Sequence, residues 1–250
     1  MMRAGKAGLL GCAFLLAGCG GSDHPDDILN PPQPGPAGYY AGTLVDHTGI
    51  GVNVVALVTD DGDVRIIDTL LGRQFLSTLP ASNSDWQAPL KGYAGPLADF
   101  PDGTRACTGR VDASAFAAAE LLGDYSCGGD SGSFDLVYDD AVSFNPPDVA
   151  ELTGVVQGLI LPHDFLLLII APDGSYSGSD TAGCAYIGGF TAADPIINLY
   201  TLQLTQTCGS SVLRLSGTAV LGVDHPGGGP ALYYGVSDTK HSLAGVLVFQ

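Results

Sequence analysis

From Tyr39 to Gln250 the chain repeats one theme: four to nine residues rich in Val, Leu, Ile, Tyr and Phe, then a turn built on Gly, Asp, Pro or Asn. Runs this short, with punctuation this regular, predict strands. Val52 to Thr59, Asp60-Asp61-Gly62-Asp63 and Val64 to Thr69 read as a tight hairpin, because Asp-Gly supplies the positive backbone angles such turns need. Phe165 to Ala171, Pro172-Asp173-Gly174 and Ser175 to Ser179 repeat the pattern. The two turn glycines are 112 residues apart, as are Gly42 and Gly154, which precede the hairpins.

Both halves continue with a strand that begins with Cys, one that ends with Cys, and a third. These are Arg105 to Val111, Glu120 to Cys127 and Ser133 to Tyr138, then Gly183 to Phe190, Asn198 to Cys208 and Val212 to Leu221. The fold expected is all-β: two antiparallel meander or barrel-like modules in tandem, 39–144 and 145–250, meeting at Asn145-Pro146-Pro147-Asp148. The second half holds about eight strand candidates, enough to close a barrel without exposed edges. Its Phe165-Leu166-Leu167-Leu168-Ile169-Ile170 run is bulky on both faces and predicts a packed interior. The halves differ in one respect. Gly62 to Cys107 spans 45 residues and Gly174 to Cys184 only 10, so the first module has an insertion or the Cys-bearing strands occupy different ranks.

Composition narrows the function classes. Gly 36 and Pro 16 in 250 residues rule against long helices, and 46% hydrophobic residues against disorder. With 26 acidic and 9 basic residues the chain offers no basic surface for phosphates, which excludes nucleic acid as a partner.

Residues 1–18 differ from the rest. Arg3 and Lys6 precede an apolar stretch, Ala7 to Leu16, too short to span a bilayer, as in an export signal. Leu16-Ala17-Gly18-Cys19 resembles the lipobox of bacterial lipoprotein precursors. That resemblance implies acylation of Cys19, palmitate among the acyl chains, and cleavage before it. Gly20, in place of the Asp that favours inner-membrane retention in that family, implies the outer membrane, facing the periplasm or the cell surface. Residues 19–38, with the run Pro31-Pro32-Gln33-Pro34-Gly35-Pro36, are expected to be an extended tether. Loss of the signal leaves 7 basic and 26 acidic residues, a net charge of −19, so attachment to anionic headgroups has to come from the acyl chains.

Cys12 is lost with the signal and Cys19 is acylated, which leaves four cysteines in an exported chain, an argument for disulfides. The start of one hairpin strand lies opposite the end of the next. This predicts Cys107 with Cys127 and Cys184 with Cys208. The close Cys-x-x-Cys spacing of zinc sites is missing, four of the five His residues merely adjoin Asp in turn-like sequence, and no cofactor or metal is expected.

One motif carries catalytic chemistry. Cys127-Gly128-Gly129-Asp130-Ser131-Gly132 resembles the Cys-x-Gly-Asp-Ser-Gly around the nucleophile of chymotrypsin-like proteases, which makes a Ser131-dependent hydrolase one reading. No His stands in the matching context: His24 lies in the tether and His47 in the turn Val45-Asp46-His47-Thr48-Gly49. Gly, Asp and Ser are also ordinary hairpin-loop residues. The mature part resembles small lipocalin- or avidin-type barrels, or the barrel modules of two-lobed bacterial surface lipoproteins. Gly42 is followed by Thr43 and Leu44 where lipocalins have Gly-x-Trp, so no ligand site carries over. The leading expectation is a non-catalytic, outer-membrane-anchored module that binds an unknown protein or small molecule; a purely structural envelope role is the other alternative. Its candidate partner loop is Pro80 to Asp102, holding Trp86, Tyr93 and Phe100, with Trp86 as a core residue the competing reading.

Overall fold

The computed structural model describes residues 36–79, 85–96, 99–161, 164–222 and 229–250. Residues 1–35, which hold the expected signal, Cys19 and most of the expected tether, lie outside the described residues. Eight strands make the first half: β1 Gly38–Val45, β2 Gly51–Val58, β3 Asp63–Asp68, β4 Gln74–Thr78, β5 Asp85–Tyr93, β6 Ala106–Phe116, β7 Glu120–Cys127 and β8 Asp130–Tyr138. Eight more follow: β9 Gly154–Leu161, β10 Asp164–Ile170, β11 Ser175–Asp180, β12 Ala185–Ala192, β13 Tyr200–Cys208, β14 Ser211–Gly222, β15 Ala231–Ser237 and β16 Ser242–Phe249. Each strand pairs antiparallel with the next, β8 returns to β1 and β16 to β9, so the chain forms two closed eight-stranded barrels. Closure leaves neither barrel a free edge.

The period-2 pattern places side chains by alternation. In β1, Tyr40 and Leu44 point inward, where they join Val54, Ile66, Phe75 and Leu136 in one buried cluster. In β10, Leu166, Leu168 and Ile170 are buried with Tyr186, Phe190 and Tyr234, which gives the second barrel its packed interior. The matched turns are alike in detail. Gly62 (φ +88°) and Gly174 (φ +81°) each take the left-handed conformation that a side chain would strain, and each donates its N–H back to the end of the preceding strand, Thr59 or Ala171.

Cys107 pairs with Cys127 and Cys184 with Cys208, each bridge closing one hairpin. The unequal spacing comes from rank. Cys107 and Cys127 lie on β6 and β7, the sixth and seventh strands of their barrel, whereas Cys184 and Cys208 flank β12 and β13, the fourth and fifth of theirs. The first barrel therefore contains no insertion; its extra stretch is β4 and β5.

The barrels pack as parts of one compact unit, Pro34–Gln250. Outward residues of β1, β2 and β3 (Tyr39, Val55, Leu57, Ile67) meet Val220 and Ala244 of the second barrel in a third apolar cluster. Polar contacts fix the register. Gln74 is fully buried, and its Nε2 donates to the Val236 carbonyl at 3.1 Å while its Oε1 accepts from Arg65. Burial draws the Arg65 guanidinium down to about 10, so it remains charged at neutral pH. At the β15–β16 turn, Lys91 Nζ donates to the Thr239 carbonyl at 3.0 Å and the Tyr93 hydroxyl to that of Asp238.

The junction at residues 145–148 is held at both ends. A short helix α1, Asp140–Ser143, is capped by Asp139, a 3-10 turn, Val149–Leu152, is capped by Asp148, and Leu152 is fully buried. Asn198 of the second barrel donates to the carbonyls of Val142 and Leu221, at 2.9 and 2.8 Å. At the other end of the chain, ordered packing begins slightly before the expected tether boundary: Ala37 is buried and the Tyr40 hydroxyl donates to the Pro36 carbonyl.

Candidate functional site

Three regions of the molecule bear on function. The first is the end of barrel one formed by the loops after β1, β3, β5 and β7. Asp130, almost fully buried at the start of β8, gathers donors from two of these loops and from strand β7. Its Oδ1 lies 2.8 Å from His47 Nδ1, and its Oδ2 accepts from Arg73 at 3.0 Å and from the Tyr125 hydroxyl at 3.0 Å. Burial, reinforced by the Asp130 charge, pushes the Tyr125 hydroxyl far above its ordinary range, so Tyr125 stays a neutral donor. Arg73 also stacks on Phe75, with its guanidinium carbon 5.6 Å from the ring centre, and lies 3.8 Å from Asp68. A carboxylate shared in this way clasps loops that are far apart in sequence.

Ser131 takes no part in the clasp. Successive strand residues point to opposite faces; Asp130 is buried and its neighbour Ser131 is exposed. The side chain that His47 contacts is that of Asp130, so the geometry separates the serine from the one described histidine near it.

The second region is Pro80 to Asp102, where the partner-loop expectation requires correction. Asp85 to Tyr93 is strand β5, not a projecting loop. Trp86 is fully buried in the first core, its Nε1 donating to the Thr78 carbonyl at 3.0 Å. Tyr93 is buried against the second barrel, and Phe100 is folded back beside Phe75 and the Cys107–Cys127 hairpin. All three aromatics are therefore spent on packing. The strand was obscured in sequence by Pro89 and Gly92, which interrupt its apolar run. Pro89 is tolerated because it lies beyond the end of the β4–β5 pairing, which stops at Leu76–Lys91, so no β4 ladder bond calls on its missing N–H.

The third region could not be located from sequence. On one side of the barrel–barrel contact the two outer walls diverge and leave a cleft of about 1130 Å³. Barrel one contributes Thr43, Val52, Asn53 and Leu70, and barrel two Gln157, Leu159, Phe165 and Val246. None of the described lining residues is charged, although the chain has 26 acidic and 9 basic residues. Leu70 is 83% exposed, yet its turn is fixed, because Asp68 Oδ1 accepts from the backbone N–H groups of Leu70 and Leu71, both at 3.0 Å. On the opposite wall Leu159 and Phe165 are 55% and 52% exposed, and the apolar surface runs on through Leu167 and Ile169. The signal for this face was the two-sided bulk of Phe165 to Ile170: its even positions fill the barrel and its odd positions face outward.

A shallower hollow of about 510 Å³ on barrel one is lined by Asp85 and Asp112, whose carboxylates already accept from Ser114 and Gln87. Among the described residues no group of His, Cys, Asp and Glu is arranged to hold a metal ion. Compared with known proteins, the chain matches no family model and no curated sequence.

Proposed function

We propose that this protein is a non-catalytic binding module of a bacterial envelope, held at the outer membrane by acyl chains on Cys19 and presenting the cleft between its barrels as its binding surface. The observation that carries the reading is a contrast. Both barrel interiors are packed with their own side chains, whereas the cleft is open, carries no charge among its described lining residues, and is walled by the exposed side chains of Leu70, Leu159 and Phe165. A concave surface lined mainly by apolar side chains with a few neutral polar groups is the common form of a ligand site. The lipobox Leu16-Ala17-Gly18-Cys19 supports the anchor, and the two disulfides suit an oxidising compartment. The distance in orientation between Ser131 and His47 favours a binding role over the hydrolase alternative. Metabolic labelling with a fatty acid tests the anchor: wild-type protein should incorporate label and fractionate with outer membranes, and Cys19→Ala should do neither. Label retained by the variant would remove the anchor from the proposal.

A further inference from the structure

We infer that the inter-barrel cleft binds the hydrocarbon chain of an uncharged single-chain lipid, such as a monoacylglycerol. This deepens the reading of the cleft as the binding surface and is independent of the anchor.

Three features of the walls select that chemistry. The described lining is free of charge in a protein of net charge −17, so a phosphate, sulfate or carboxylate headgroup would meet no cation there and would be repelled by the molecule as a whole. The walls are outer faces of barrel strands, whose N–H and C=O groups lie in the plane of the sheet and not toward the cleft. An extended peptide lying across these faces would have its amides desolvated without partners, a cost that a hydrocarbon chain does not incur. The polar side chains present, Thr43, Asn53, Thr69 and Gln157, are neutral donors and acceptors suited to an ester or hydroxyl head. Leu70, Leu159 and Phe165, exposed to water when the cleft is open, are the surfaces a chain would cover.

The test uses the full chain carrying Cys19→Ala, so that no acyl group on that residue competes, and follows displacement of Nile red by 1-monolauroylglycerol, 1-monomyristoylglycerol and ionised myristate, each below its aggregation concentration. Monomyristoylglycerol should displace the dye at a stoichiometry of one and bind at least about fourfold tighter than the lauroyl compound, the increment expected for two partly buried methylenes. Myristate should bind at least about tenfold more weakly than monomyristoylglycerol, because its carboxylate stays unpaired. Phe165→Asp and Leu159→Asp alter exposed side chains and should leave the far-UV circular dichroism and melting temperature unchanged while abolishing displacement. Asn53→Arg or Gln157→Arg should raise affinity for myristate selectively. Equal binding of myristate and the neutral lipid by the wild-type chain, no dependence on chain length, or displacement indifferent to Phe165→Asp would each overturn the assignment. A concentration-dependent dimer that Phe165→Asp dissociates, with no lipid displacement, would assign the cleft to a second copy instead. Failure of Cys19 labelling would dismiss the anchor without touching any of these results.

Discussion

Trp86→Ala is the sharpest probe of the first barrel. The indole is fully buried on β5 and its N–H donates to the Thr78 carbonyl at 3.0 Å, so truncation removes a large apolar volume and one hydrogen bond together. Removing an aromatic from a closely packed core costs about 3–5 kcal/mol, most of it from the cavity that remains. For a folded unit of this size, each kcal/mol lowers the melting temperature by about 2–4 °C, so the variant should melt roughly 6–20 °C below wild type. Trp86→Phe keeps most of the volume and should lose less than half as much. The protein has a single Trp, so its fluorescence reports barrel one alone, while far-UV circular dichroism reports both barrels. In wild-type protein the two urea transitions should coincide, because Gln74, Arg65 and the third apolar cluster join the barrels. In Trp86→Ala the circular dichroism transition should shift as a whole. A loss below about 1 kcal/mol would mean that the side chain is not part of a packed core. A split transition in wild type would show that the barrel contact contributes too little to couple them.

Three further outcomes follow from the same geometry. Replacing both Cys107 and Cys127 by Ala should cost about 3 kcal/mol by loop-closure entropy over a sequence separation of 20, and non-reducing peptide maps should contain only the 107–127 and 184–208 links; a Cys107–Cys184 peptide would contradict the hairpin assignment. Although burial raises it, the Asp238 carboxyl is drawn down to about 2 by hydrogen bonds from the Lys240 and His241 backbone and the His241 ring, so its contribution is complete above the ordinary carboxylate range and is lost as pH falls through about 2. The stability gap between wild type and Asp238→Asn should therefore be widest near neutrality and close toward about pH 2; a gap independent of pH would refute the turn's charge dependence. Ser131 should not react with a fluorophosphonate, and labelling that disappears in Ser131→Ala would restore the hydrolase reading.

The sequence carried the architecture well where one physical rule acted alone. Asp60-Asp61-Gly62 and Pro172-Asp173-Gly174 state a turn locally, and a Cys at each end of a hairpin states its partner. Legibility failed where two rules pulled apart. Pro89 and Gly92 disguise β5, which turned Trp86 from a core residue into a loop candidate. His47 and Asp130 are 83 residues apart, and only closure of β1 against β8 brings them together. Outward Val55 and Ile67 pack against barrel two, whereas outward Phe165 and Ile169 line or border an open surface; alternation gives all four the same pattern. Which outer face meets the other barrel depends on the docking of complete barrels, and no local pattern encodes it.

The sequential strand order also sets when each cross-link becomes possible. Both disulfides join neighbours in a hairpin, with separations of 20 and 24 residues, whereas the seams β1–β8 and β9–β16 join segments roughly ninety residues apart. Hairpins form in microseconds and long-range pairings wait on the rest of the chain. Each thiol therefore meets its native partner long before either barrel can close. Oxidation on a nascent, still open sheet favours the correct pairing kinetically, and the two sulfur bridges shorten the search that remains without committing the seams. Where an oxidant acts before the barrels close, the short 107–127 and 184–208 loops are the pairings favoured over links between the two modules.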